Sequence, residues 1–213
     1  MVLVHGGAWV AGSPSLLDGL ADALAAEGAV VFNASYRLAG TPGGGDPGSL
    51  DDVACAIRFA RAEAPAYTDA DELVVVGHSA GAHLGAVVAL DPAPWGADCE
   101  YPPGDSPDRF VGLAGIYDVR AVPIVYFFST FMGASAAAAP DRWAAVNPVE
   151  LATRQDLEVV LVTGSEDELV PPSQAQAFAD ALPGGARLVE IAGADHNDLQ
   201  YPSVGGVAVV LEK

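Results

Sequence analysis

Residues 72–81 read Glu-Leu-Val-Val-Val-Gly-His-Ser-Ala-Gly, and few short stretches constrain a fold so strongly. A β-branched apolar run stops at Gly-x-Ser-x-Gly, and an Ala-rich pattern at helical spacing begins at once. The local geometry is therefore strand, sharp turn, helix. On such a turn Ser79 takes a strained backbone conformation, with its hydroxyl lifted above the sheet edge. Gly77 and Gly81 carry no side chain, so strand and helix can pass close beside the turn. The helix behind Ser79 opens with free N–H groups that favour a developing negative charge. With 24 glycines in the chain the pentapeptide alone is weak, and its flanks and distant partners carry the argument.

The rest of the chain alternates short apolar runs with helical patterns. Strands are expected at Val2–Val4 and at residues 29–36, 73–76, 110–116, 158–163 and 186–191, and helices at 16–27, 50–63, 80–90 and 173–182. Continuous apolar strands alternating with helices imply an α/β fold, a mostly parallel sheet with helices on both faces. Neither an internal repeat nor a linker interrupts it, so residues 1–213 are read as a single domain. Two stretches break the rhythm. Residues 91–108 hold five prolines without periodicity and read as a surface insertion. Residues 122–145 gather Tyr126, Phe127, Phe128, Phe131, Met132 and Trp143 around an alanine tract. They read either as a small cap over the sheet edge or as a connecting helix packed into the core.

A serine hydroxyl is a poor nucleophile at neutral pH and needs a base, an orienting acid and donors for an oxyanion. Asp167 lies in the loop Gly164-Ser-Glu-Asp-Glu after one strand, and His196 in Gly193-Ala-Asp-His-Asn after the last. Glu166 and Glu168 are alternatives for the acid. Asp195 and Asp198 read as loop-capping, and His78 and His83 as structural, because neither histidine follows a strand as His196 does. The order Ser79, Asp167, His196 is the one expected when such a nucleophile turn sits in a parallel sheet of this fold class. Oxyanion donors are expected from the N–H groups of Gly7 and Ala8, in His5-Gly-Gly-Ala-Trp9, and of Ala80. His5 reads as a structural residue bonding loop backbone. Trp9, Tyr36, Phe127, Phe128 and Phe131 are candidates for an apolar substrate pocket.

Charge and cysteine content narrow the remaining classes. There are 28 acidic residues against nine basic, a net charge of −19, which argues against a nucleic-acid partner or an anionic membrane surface. The apolar runs are too short to span a bilayer. Met1-Val-Leu-Val-His-Gly-Gly lacks a basic leader, so the reading is cytoplasmic. Cys55 and Cys99 are too few for a disulfide scaffold or a zinc site. They are expected as free thiols in such a compartment, although spacing leaves a single bridge open.

Taken together, His5-Gly-Gly-Ala-Trp9, Ser35-Tyr-Arg-Leu38, Gly77-His-Ser-Ala-Gly81, Gly115-Ile-Tyr-Asp118, Gly164-Ser-Glu-Asp167 and Asp195-His196 resemble the α/β-hydrolases of the hormone-sensitive-lipase-like and carboxylesterase (BD-FAE-like) group. The resemblance covers essentially the whole chain. It implies an eight-stranded sheet, a Ser-Asp-His triad and hydrolysis of small carboxylic esters with no metal or organic cofactor. It also implies that Tyr117 and Asp118 mark the strand before the cap and stand outside the triad. In such proteins the His-Gly-Gly motif closes the third strand, whereas here it begins at residue 5, so the first two strands are expected to be missing. That loss would leave the strand at 29–36 as an uncovered edge through which a homodimer is expected. The substrate expected is a short-acyl ester. A formamidase acting on N-formylkynurenine and a non-catalytic ligand-binding module on the same fold are the competing readings.

Overall fold

A computed structural model describes residues 1–103, 106–202 and 206–212. The elements run β1 (Val2–Val4), α1 (Asp18–Ala26), β2 (Phe32–Ala34), α2 (Gly48–Glu63), β3 (Val74–His78), α3 (Ala80–Leu90), β4 (Arg109–Leu113), α4 (Val125–Met132), α5 (Pro140–Ala144), α6 (Pro148–Leu151), β5 (Glu158–Gly164), α7 (Ser173–Ala181), β6 (Arg187–Ile191) and α8 (Gly206–Leu211). Short 3-10 turns at Pro14–Leu17, Ala64–Ala66 and Asp198–Gln200 complete them. Parts of two segments read from sequence, residues 104–105 of the insertion and 203–205 and 213 of the last segment, lie outside the described residues.

Six strands form one sheet in the order β2-β1-β3-β4-β5-β6, every neighbouring pair parallel. The period-two alternation of strand side chains divides the core between its faces. Val2, Val4, Val75, Phe110, Val159 and Leu161 pack with α2, α3, α4 and α7. Leu3, Val74, Val76, Val111, Val160 and Val162 pack with α1 and α8. All of α3 is buried, which explains why its sequence is apolar all round rather than amphipathic.

Among the described residues the sheet has six strands, and β2 forms one of its edges. Two strands are shorter than expected. β2 pairs with β1 over three residues only, and Tyr36 leaves the strand direction to donate from its hydroxyl to His5 O, 3.0 Å away. β4 stops at Leu113 because Ala114 turns to a φ of +48°. Beyond it the backbone N–H groups of Tyr117 and Asp118 are held by the Gln174 carboxamide oxygen at 2.9 and 2.8 Å.

The 122–145 segment packs its inner aromatics into the core, as the second of its two readings has it. Phe128, Phe131, Met132 and Trp143 are buried, with Phe128 edge-on to Trp9 and to Trp143. Tyr126 and Phe127 stay exposed on the outer side.

The expectation of free thiols is corrected. Cys55 of α2 and Cys99 form a disulfide with their Cα atoms 5.4 Å apart. Tertiary anchoring brings them together: Arg58 donates to Trp95 O and Gly96 O, and Gly96 N donates to Asp51, so the proline-rich loop lies along α2. Among the described residues no helix is long and apolar enough to cross a membrane.

Candidate active site

The turn after β3 has the geometry that its residue types require. Ser79 takes φ +54° and ψ −119°, a conformation L-residues rarely hold unless the surroundings enforce it. Here the enforcement comes from Ser79 N, which donates to Leu113 O at 2.9 Å, and from α3, whose first turn begins on Ser79 O. A Cβ on Gly77 would lie 2.5 Å from Ala82 Cα, and one on Gly81 would strike Val4 O, so both glycines are fixed by close backbone approach.

The loops after β5 and β6 bring the other two candidates to this serine. His196 Nε2 lies 2.9 Å from Ser79 Oγ, and His196 Nδ1 lies 2.8 Å from Asp167 Oδ2. Because the carboxylate only accepts, Nδ1 donates to it, which leaves Nε2 of the neutral ring free to accept from the serine hydroxyl. The second oxygen, Asp167 Oδ1, accepts from Leu169 N at 3.0 Å and Val170 N at 2.7 Å. Burial works to raise the Asp167 pKa, but the hydrogen bonds from His196, Val170 and Leu169 hold it below the usual carboxylate value. Asp167 is thus an ionised, fully engaged carboxylate. The alternatives Glu166 and Glu168 are exposed on either side of it. Asp195 and Asp198 cap their own loop, accepting from Asn197 N, Asp198 N and Asp195 N.

The loop after β1 faces the serine from the other side. Gly7, Ala8 and Trp9 have φ of +123°, +51° and +63°, three consecutive left-handed residues of which only one is glycine. Gly7 O accepts from Val10 N and Ala11 N, and the N–H groups of Gly7 and Ala8 donate no hydrogen bond among the described residues. Ala80 is the first residue of α3, where the N–H has no intrahelical acceptor. His5 donates from Nδ1 to Gly6 O at 2.7 Å and stacks on Tyr36, the structural part expected of it.

A cavity of about 430 Å³ opens over Ser79. Gly6, Gly7, Ala8, Ser79 and His196 form its floor; Val10, Leu16, Ile124, Phe127 and Leu169 form apolar walls; Asn197 and Gln200 contribute the polar side. Of the aromatic residues expected to line it, Phe127 does. Trp9, Tyr36, Phe128 and Phe131 do not and are corrected: all four are buried beneath the site. Trp9 sits under the loop with its indole N–H committed to His83, and Tyr36 is spent on His5 O. Phe128 and Phe131 are on the inner side of α4 and pack against Trp9. Helical spacing turns Phe128 about 100° away from Phe127 around α4, enough to bury one and leave the other at the cavity, a distinction that a count of aromatics does not make.

Residues 1–182 match the BD-FAE family. This chain belongs to that family. Among curated relatives, the BD-FAE chain is 31% identical over 211 residues to esterase LipC of Mycobacterium tuberculosis, covering 92% of this chain and 52% of that protein. It is 33% identical over 134 residues to the kynurenine formamidase avaC of Aspergillus versicolor, covering 56% of this chain and 44% of that protein. The BD-FAE chain therefore spans about half the length of these relatives. Among solved structures it resembles the butyrate-bound esterase Est2 of Thermogutta terrifontis, with a TM-score of 0.77 and 22% identity over 97% of this chain and 80% of that one.

Three supports of the site in this BD-FAE chain were not legible as such. His78, read only as structural, donates from Nε2 to His196 O at 2.9 Å and packs its ring 5.1 Å from the His196 ring. Gln174 ties the chain after β4 to α7 through four hydrogen bonds, to Tyr117 N, Asp118 N, Asp118 O and Ala121 O. Asn147 receives Val119 N at 3.0 Å. A polar residue on a helix or in a loop gives no sign in sequence of which distant backbone it will satisfy.

Proposed function

We propose that this chain hydrolyses small carboxylic esters by acyl transfer through Ser79. The observation that carries the reading is the unbroken chain from the strained Ser79 hydroxyl through His196 to a buried, ionised Asp167, at 2.9 and 2.8 Å. Ser79 Oγ attacks the ester carbonyl while His196 Nε2 takes its proton, and Asp167 keeps the ring in the required tautomer and stabilises its charged form. The N–H groups of Gly7, Ala8 and Ala80 receive the oxyanion. His196 returns the proton to the departing alcohol, and water then releases the acyl group by the same steps in reverse. No step calls for a cofactor.

The cavity supports a short acyl chain: its volume, about 430 Å³, is at the low end for ligand pockets, and Ile124, Phe127 and Leu169 narrow it. The structurally similar Est2, described with butyrate bound, is in keeping with this. The test is hydrolysis of p-nitrophenyl esters across acyl lengths with Ser79→Ala as control, alongside labelling by a fluorophosphonate probe. Turnover of acetate and butyrate esters with loss of both signals in the variant is expected. A wild type that neither turns over nor labels would favour a ligand-binding module instead.

The similarity to a kynurenine formamidase motivates a second reading, hydrolysis of an N-formyl aromatic amide by the same residues. A rate on N-formylkynurenine well above that on the simple esters would establish it. The Cys55–Cys99 bond favours an oxidising setting over the cytoplasm. Thiol counting on protein isolated from its native host distinguishes the two.

A further inference from the structure

Trp9 and His83 lie outside the triad, yet they join the loop of Gly7 and Ala8 and the helix of Ala80 to the segment before α6. Trp9 Nε1 donates to His83 Nδ1 at 3.1 Å, and His83 Nε2 lies 2.8 Å from Val146 O. A carbonyl can only accept, so Nε2 carries the hydrogen and Nδ1 offers its lone pair to the indole. The two bonds fix each other: moving the proton to Nδ1 would leave Val146 O without its donor and set N–H against N–H. Both side chains are fully buried, with the rings edge-on at 5.4 Å, so no water can substitute. His83 is in the first turn of α3, its own N–H on Ser79 O, and Trp9 directly follows Gly7 and Ala8.

We propose that the Trp9–His83–Val146 hydrogen-bond chain holds the Gly7–Ala8 loop at a fixed distance from Ser79 and Ala80, making Trp9 and His83 positioning residues for the oxyanion donors. The inference rests on the hydrolase reading above. The loop needs such a tie because Ala8 and Trp9 hold left-handed backbone conformations that side chains resist. Ala39 N on Trp9 O and the two bonds to Gly7 O secure only the loop's far side and its own turn. The indole bond ties it, through His83, to the helix that follows the nucleophile. Donors act on the oxyanion more than on the bound ester, so a displaced loop should reduce kcat and leave KM largely as it was.

Trp9→Phe keeps the ring packing and removes the donor, and His83→Leu removes both the acceptor for the indole and the donor to Val146 O. With p-nitrophenyl butyrate, each should lower kcat by about 10–100-fold with KM within about twofold. The affinity of a boronic acid that mimics the tetrahedral adduct should fall in parallel, and the double variant should be little worse than either single one. Melting curves confirm that the variants are folded at the assay temperature. Should neither fold, nitrogen-15 NMR of the wild type at pH 7 decides, since the proposal requires His83 to be the neutral Nε2–H tautomer. An Nδ1–H tautomer, wild-type kcat in a folded Trp9→Phe, or a loss confined to KM would overturn it. A wild type inert to ester and fluorophosphonate would instead overturn the hydrolase reading and this proposal with it.

Discussion

Two of the histidines packed around Ser79 should make the fold acid-sensitive well above the range in which carboxylates titrate. Burial is the main force lowering the pKa of His78 and of His83, each from 6.5 to about 4, and it outweighs the hydrogen bonds to His196 O and Val146 O that act in the opposite direction. Since the folded values lie below the unfolded ones, the unfolded chain binds more protons as pH falls through 6.5, and stability falls with it. The loss ends only when the folded rings protonate near pH 4. Between pH 7 and 5 each ring removes about 2 kcal/mol, so the pair removes about 4 kcal/mol, a large share of the roughly 5–15 kcal/mol typical of a folded protein. His5, shifted the same way by burial, adds to the loss. Asp167 does not offset it: a carboxyl held below its ordinary value of 3.8 loses its contribution only at lower pH. Urea unfolding at pH 7, 6 and 5 reads this directly. With a slope of about 3 kcal/mol per molar, the midpoint should drop by about 1.3 M from pH 7 to 5. His83→Gln should roughly halve that drop by removing one titrating ring. A midpoint constant to within about 0.2 M across the range would refute the reasoning, because it would mean the rings titrate alike in both states.

Asp167→Asn should reduce kcat by about 10³–10⁴-fold with little change in melting temperature, by the tautomer argument that holds for serine triads generally; a loss below tenfold would remove Asp167 from the role. Thiol titration of the native protein should find no free cysteine. Replacing Cys55 and Cys99 by alanine should then cost about 4 kcal/mol, the chain-entropy value for a 44-residue separation, with activity at 25 °C retained; two titratable thiols in the native protein would contradict it. Phe127→Ala should raise KM for butyrate about 3–10-fold more than for acetate, as expected for an apolar wall that only the longer chain reaches. The unpaired side of β2 should support concentration-dependent dimerisation, seen as a shifting elution volume in size-exclusion chromatography, and a constant monomer across concentrations would count against it.

Much of the fold was legible because its signals are local. The apolar runs leading to Val74–His78 and Glu158–Gly164, and the helical spacing of Gly48–Glu63, mark elements that short-range sterics and burial dictate within a few residues. The elbow, the two loops that follow strands and the order Ser79, Asp167, His196 could likewise be read along the chain, since a parallel sheet delivers such loops to one edge. What sequence left open was settled by distance in space. Cys55 meets Cys99 because Arg58 and Asp51 pin the intervening loop to α2. Asp167 rather than Glu166 or Glu168 reaches His196 because the turn held by Asp167 N on Gly164 O points one side chain inward. Only tertiary packing could assign the aromatics. Trp9, Tyr36, Phe128 and Phe131 support the cavity from below while Phe127 lines it, a difference set by which helix face meets the core and invisible in composition. Periodicity and backbone sterics act between near neighbours and are written in the chain, whereas the partner of a buried polar group or ring depends on contacts made across the whole fold.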